Sequence, residues 1–199
     1  MARYFVIYIP DRHWQASLDV MRLLCDPFIH SPAHLTVRGP YDEKPELDSA
    51  WYRARNIHVS VVGVQRFYGP HQNTVSLKCE LPDLKAIWWK KDYKNGTPHI
   101  TIYDGDSRNF AEKVDRILSK YDWKFHFSAD RLYEYVGSNK QPRFDFPWQE
   151  YAAVFKRTIG FSLTRKELEQ TSEHTRLEYL DCVAGFLWTD VVERQHTPA

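Results

Sequence analysis

The sequence predicts an α+β fold with antiparallel strands, intervening helices and a wholly helical C-terminal tail. Three observations carry this reading. Residues 57–67 (IHVSVVGVQRF) and 74–81 (TVSLKCEL) alternate with period two across a short turn, which is a hairpin signature. Apolar residues recur at helical spacing just after residue 11 and again over 107–121. Beyond residue 148 only the helical period remains. At 199 residues the chain has room for one large domain or two small lobes.

In chain order, Tyr4 to Ile9 (YFVIYI) is aromatic and β-branched, and reads as a strand that Pro10-Asp11 ends. Tyr4, Val6 and Tyr8 share one of its faces. Asp11 caps a helix with Trp14, Leu18, Met21 and Leu24/Cys25 on one side, and Pro27 stops it. His34 to Val37 is a short strand closed by Gly39-Pro40. Residues 43–55 are polar helix or loop. The 57–81 hairpin follows, with Gly63 as the mark of a bulge. Residues 83–91 suit a helix, and 99–103 (HITIY) a strand. Ser107 caps the helix over 107–121, and 123–136 holds two short strands. Residues 138–148, with Pro142 and Pro147, form a connector. The tail is then one helix over Tyr151 to Ile159 and a second from Thr164 to Val192, the latter capped by Ser162 or by Thr164, with Glu167 three residues after Thr164 as in a capping box. The organisation expected is a two-lobed core over 1–137, the connector, and a helical extension over 149–199.

Composition narrows the classes. The chain is 43% hydrophobic and 27% charged, which excludes wholesale disorder. Its net charge of +1 disfavours holding long duplex DNA by charge alone. Cys25, Cys79 and Cys182 are odd in number and widely spaced, so neither a disulfide framework nor a thiolate zinc site is expected, and a reducing, cytoplasmic location fits. No apolar run has the roughly 20 residues of a membrane span. Metalloprotease, P-loop, dinucleotide and nucleophile-elbow motifs are all missing, and no metal or cofactor is expected.

Two segments match each other: Ser31-Pro32-Ala33-His34-Leu35-Thr36-Val37 and Thr97-Pro98-His99-Ile100-Thr101-Ile102. Each has Pro shortly before His, then apolar, Thr, apolar. The bare triplet is a weak signal, because His58-Val59-Ser60 and His126-Phe127-Ser128 also satisfy H-x-[ST]. The shared Pro context and strand placement give the first two their weight. On a strand, i and i+2 point the same way. His34 therefore projects with Thr36, and His99 with Thr101, while Leu35, Val37, Ile100 and Ile102 enter a core. Two such half-sites across a groove suit a phosphodiester. One imidazole takes a proton, the other gives one, and the hydroxyls hold phosphate oxygens.

At these residues the sequence resembles the 2H phosphoesterase superfamily, the 2′-5′ RNA ligase-like or cyclic phosphodiesterase-like proteins, whose hallmark is two H-x-[ST]-x motifs. The resemblance covers roughly residues 3–136 and leaves the tail aside. It implies a bilobal α+β fold with two antiparallel sheets around a central cleft. It also implies metal-independent chemistry on 2′,3′-cyclic phosphates, 2′-5′ linkages or cyclic nucleotides. It makes His34 and His99 the acid/base pair, in either order, and Thr36 and Thr101 the phosphate ligands.

Lesser candidates flank these. Arg38 follows Thr36 by two and is placed to hold phosphate, Tyr103 follows Thr101 by two, and Tyr8 is a stacking surface for a base. The run Trp88-Trp89-Lys90-Lys91-Asp92-Tyr93-Lys94 interleaves bases and aromatics. The expected partner is a nucleotide or RNA-end substrate. Two rivals stand beside the enzyme: a non-catalytic RNA- or nucleotide-binding module on the same fold, and a protein that meets a partner or itself through the C-terminal helices. Ligation, the reverse of cleavage, is open on the same residues.

Overall fold

A computed structural model describes residues 2–29, 31–41, 56–82, 97–137 and 147–196, without the side chains of Ala2, Arg38, Pro40, Val136, Gly137 and His196. The expected elements over 43–55 and 83–91, the Trp88 to Lys94 run and most of the connector lie outside the described residues. So does the Arg38 side chain.

Strand β1 (Ala2–Ile7) leads to α1 (Arg12–Cys25), whose N-terminus Asp11 caps by accepting from His13 N and Trp14 N. Strands β2 (Leu35–Tyr41), β3 (Ile57–Tyr68), β4 (Asn73–Glu80) and β5 (His99–Gly105) follow. Helix α2 (Arg108–Leu118) starts at the Ser107 cap, and β6 (Phe125–Ala129) and β7 (Tyr133–Gly137) complete the strands. The tail is α3 (Trp148–Ile159), α4 (Arg165–Gln170) and α5 (Glu173–His196).

The fold is α+β, and its strands form one antiparallel sheet in the order β6-β3-β4-β5-β2-β1-β7, curled into a half-barrel. Two separate sheets were expected. The two halves are instead joined where β2 meets β5 through the single pair Leu35↔Ile100. Strand β2 also runs past its expected stop at Gly39-Pro40, because Tyr41 still pairs with Arg3. Register shifts on either side of Phe5 absorb the irregularity, and Gly39 adopts φ +114°, where a Cβ would lie 2.5 Å from the Arg3 carbonyl oxygen. Gly63 marks the expected bulge: its φ is +141°, and the β3–β4 register slips between Val61 and Gly63.

One side of the sheet is dry. Ile7, Leu35, Val59, Leu77 and Ile100 are 0% exposed, and belong to a single apolar cluster with the helices. Helix α1 packs on β5, α2 on β3 to β5, and α5 on β6. The tail shares this core. Tyr151, Phe155, Leu168, Val183 and Leu187 are buried in the same cluster, and α3 and α5 both pack on α1. Polar ties reinforce the packing: Trp14 Nε1 donates to Asp190 at 2.7 Å, and Arg194 reaches Asp11 at 2.8 Å. The tail's expected second helix is two, α4 and α5. Thr171 is extended at ψ 135°, and the Ser172 hydroxyl accepts from Thr175 N, restarting the turn. Among the described residues no helix is long and apolar enough to cross a membrane.

Candidate active site

The pair Leu35↔Ile100 points both side chains into the core, so their neighbours face the opposite side of the sheet. Continuing that antiparallel register by one residue in each direction sets His34 opposite Thr101 and Thr36 opposite His99. Directly opposed residues have Cβ atoms about 5 Å apart, and diagonal ones somewhat under 8 Å. The histidines occupy a diagonal of this crossed square and the threonines the other. All four side chains are partly exposed. The sheet thus brings the four motif residues to one place.

Both imidazoles are oriented in the same way. His34 Nδ1 lies 2.8 Å from the Pro32 carbonyl oxygen, and His99 Nδ1 lies 2.7 Å from that of Thr97. A carbonyl oxygen only accepts, so each Nδ1 carries a hydrogen and each Nε2 is left for chemistry. The Pro two residues before His34, and the Thr-Pro before His99, supply the bends that bring these carbonyls under the rings.

Helix α1 holds the square from beneath. Asp19, 4% exposed, accepts from Ala33 N at 2.5 Å, Gln15 Nε2 at 2.9 Å and the Tyr151 hydroxyl at 2.9 Å. Gln15 Nε2 also donates to the Ala33 carbonyl at 2.9 Å, so the residue before His34 is gripped at both backbone groups. Arg22, 5% exposed, donates to the Thr101 carbonyl at 2.5 Å and to Ser31 Oγ at 3.0 Å. The two charges offset one another in a site that neither could occupy alone. Burial still raises the Asp19 carboxyl to about 6, against the pull of its donors.

Burial also lowers His34 to about 4, with the Arg22 charge adding to the effect and that of His99 contributing in the same direction. His34 is therefore neutral at pH 7, with a bare Nε2. That the His99 charge acts on His34 is a second sign that the two rings are near one another.

An aromatic wall stands beside His34. Tyr135 stacks on it at 5.3 Å between centroids, and Tyr8 meets it edge-on at 6.3 Å. Tyr8 in turn packs on Tyr133 at 5.0 Å. Tyr8 is thus placed in the site; burial, with the nearby phenols and Asp19, raises its hydroxyl to about 12. Tyr133 and Tyr135 were not foreseen, because their position depends on the β1–β7 register, which pairs Tyr4 with Tyr135 and Val6 with Tyr133. Lys78 was not foreseen either. It pairs with His99 in the β4–β5 register and is exposed on the same face. No local pattern marks it.

Tyr103 is a correction. The β4–β5 register pairs Ser76 with Thr101 but Val75 with Tyr103, so Ile102 is an extra residue. The bulge turns Tyr103 into the core, 7% exposed, against Phe110 and with its hydroxyl on the Ser107 carbonyl at 3.3 Å. It does not line the site. Among the described residues no three His, Cys, Asp or Glu side chains gather as a metal-ion set.

No protein-family model matches this sequence, and no curated protein matches it.

Proposed function

We propose that the chain is a metal-independent phosphodiesterase of the 2H type, acting on 2′,3′-cyclic phosphates, 2′-5′ linkages or related cyclic nucleotides. The observation that carries this is the crossed square, in which each histidine faces the threonine of the other motif and both present Nε2. His34, neutral at pH 7, is the base and His99 the acid. For a cyclic phosphate, His34 Nε2 takes a proton from water as the new O–P bond forms. The bond from phosphorus to one ribose oxygen breaks, and that oxygen takes its proton from His99 Nε2. The reaction leaves His34 protonated and His99 neutral, and exchange with solvent resets both. For a 2′-5′ bond the neighbouring 3′-hydroxyl replaces water. Thr36 and Thr101 hydrogen-bond the non-bridging oxygens, and Lys78 adds charge beside them. The tyrosine wall gives a flat apolar surface for a base next to His34.

The test is a turnover panel of these phosphodiesters in the presence of chelator. Wild type is expected to cleave at least one, and His34→Ala and His99→Ala each to lose on the order of 10²–10⁴ in rate. Tight binding without turnover across the panel would favour a binding module. Full rate in the double variant would reject the assignment.

A further inference from the structure

The two H-x-S triplets are also joined by the fold. Strands β3 and β6 pair His58 with Ser128 and Ser60 with His126, around the core-facing pair Val59↔Phe127. This is the same crossed register as in the H-x-T square, on the face turned away from the core, at the far end of the sheet. The chemistry at this second crossing differs. His58, His126 and Ser128 are exposed, whereas His34 lies against Tyr8 and Tyr135. His58 Nδ1 is 2.9 Å from the Ser128 hydroxyl. Glu80 stands opposite Ser60, which makes the His126 end unfavourable to an anion.

The His58–Ser128 end has a different neighbour. The sheet's curl brings the β6–β7 turn against β1, and Tyr8, Ser128, Asp130, Arg131 and Tyr133 are among the residues that line one cavity of about 310 Å³. That is the lower end of the size range of small-ligand sites. The Arg131 guanidinium lies 5.0 Å from the Tyr133 ring centroid, and Nε donates to the Tyr133 hydroxyl at 2.9 Å. Among the described residues its carboxylate partner is Asp130, 3.9 Å away and 77% exposed, a loose and hydrated pairing. The β1–β7 register, continued, sets Arg131 opposite Tyr8, as the β1–β2 register sets Tyr8 opposite His34. Two strand spacings, roughly 10 Å, then separate Arg131 from His34. A mononucleotide cyclic phosphate has a single phosphorus, held at His34, and offers nothing to Arg131.

We propose that Arg131, Ser128 and His58 bind a second, uncleaved phosphate of the substrate, with the intervening base or sugar on Tyr8 and Tyr133. The preferred substrate is then an oligonucleotide rather than a mononucleotide. This rests on the phosphodiesterase reading for its first phosphate only.

The experiment compares a nucleoside 2′,3′-cyclic monophosphate with a ribonucleotide trimer ending in a 2′,3′-cyclic phosphate, on the full chain. Wild type is expected to favour the trimer at least tenfold in kcat/KM. Arg131→Ala and His58→Ala should each cut that ratio severalfold, through the trimer's KM. Both side chains are exposed, so the variants should fold, and circular dichroism checks this. A wild-type ratio near one, or a ratio untouched by both variants, overturns the proposal. If wild type cleaves neither probe, the phosphodiesterase reading fails on these substrates, and equilibrium binding decides the second site. Weaker trimer binding in Arg131→Ala then supports it, and equal binding overturns it.

Discussion

Asp19 and Arg22, one turn apart on α1, grip opposite halves of the sheet: the first takes the Ala33 amide and the second gives to the Thr101 carbonyl, each at 2.5 Å. The helix is thus a clamp across the narrow β2–β5 junction, where among the described residues one ladder pair, Leu35↔Ile100, joins the two halves. The backbone beside each histidine motif is thus held from the core side, by buried charged side chains.

Arg22→Met tests the clamp. It removes a charge that holds His34 down, so the acid limb of kcat/KM should move to higher pH. It also frees the Thr101 carbonyl, so the maximal rate should fall. An unmoved acid limb, measured from pH 4 to 8, would show that Arg22 does not act on His34.

Tyr151→Phe tests the tail's tie to the site. The phenol is the tail's hydrogen bond to Asp19, inside the core. Its loss should cost about 1–3 kcal/mol, the usual penalty for a buried acceptor losing a donor. For a chain of this size that is roughly 2–12 °C in Tm. Deleting residues 148–199 should be far worse, because α1 would lose the apolar surfaces of α3 and α5, and the truncated chain is expected not to fold cooperatively.

These polar contacts were hidden in the sequence for a physical reason. Trp14, Leu18, Met21 and Leu24 show a helix with one buried stripe. The tail's Tyr151 then reaches Asp19, and Arg22 reaches Ser31 and the Thr101 carbonyl, so polar residues of α1 are buried too. The motif residues were legible because strand alternation has only two phases: once Leu35 and Ile100 enter the core, His34, Thr36, His99 and Thr101 must face away. Tyr103 broke that rule through a bulge at Ile102, which no Gly announces. Lys78, Tyr133 and Tyr135 depend on long-range register, and a single sequence does not encode register locally. The single sheet was hidden likewise, since one residue pair decides it.

The pH dependence of stability has two opposed parts. His34 is at about 4 when folded and 6.5 when free, so acidification from 6.5 to 4 protonates the unfolded chain first and destabilises the fold. Asp19 is at about 6 when folded and 3.8 when free, so its contribution is full below 3.8 and is lost as pH rises through 6. Between pH 4 and 6 they largely cancel. In His34→Gln the Asp19 part is unopposed, so the difference in Tm, variant minus wild type, should grow more positive from pH 6.5 down to 4. A constant difference would contradict the burial of His34.

If Lys78 contributes charge to phosphate binding, Lys78→Ala should raise KM severalfold and flatten its dependence on salt, because one exposed cation, paired with His99 in the strand register, is lost. A fall in kcat alone would place Lys78 elsewhere in the reaction.

The assignment of the two histidines is tested most directly by changing the leaving group. An aryl phosphodiester expels an oxygen that needs little protonation, whereas an alkyl diester does not. With a cleaved substrate in hand, kcat/KM is measured for wild type, His34→Ala and His99→Ala on an aryl and an alkyl version. His99→Ala is expected to recover most of its lost rate on the aryl diester while His34→Ala remains slow on both. Equal losses for the two variants on both substrates, or recovery by His34→Ala instead, would contradict the assignment.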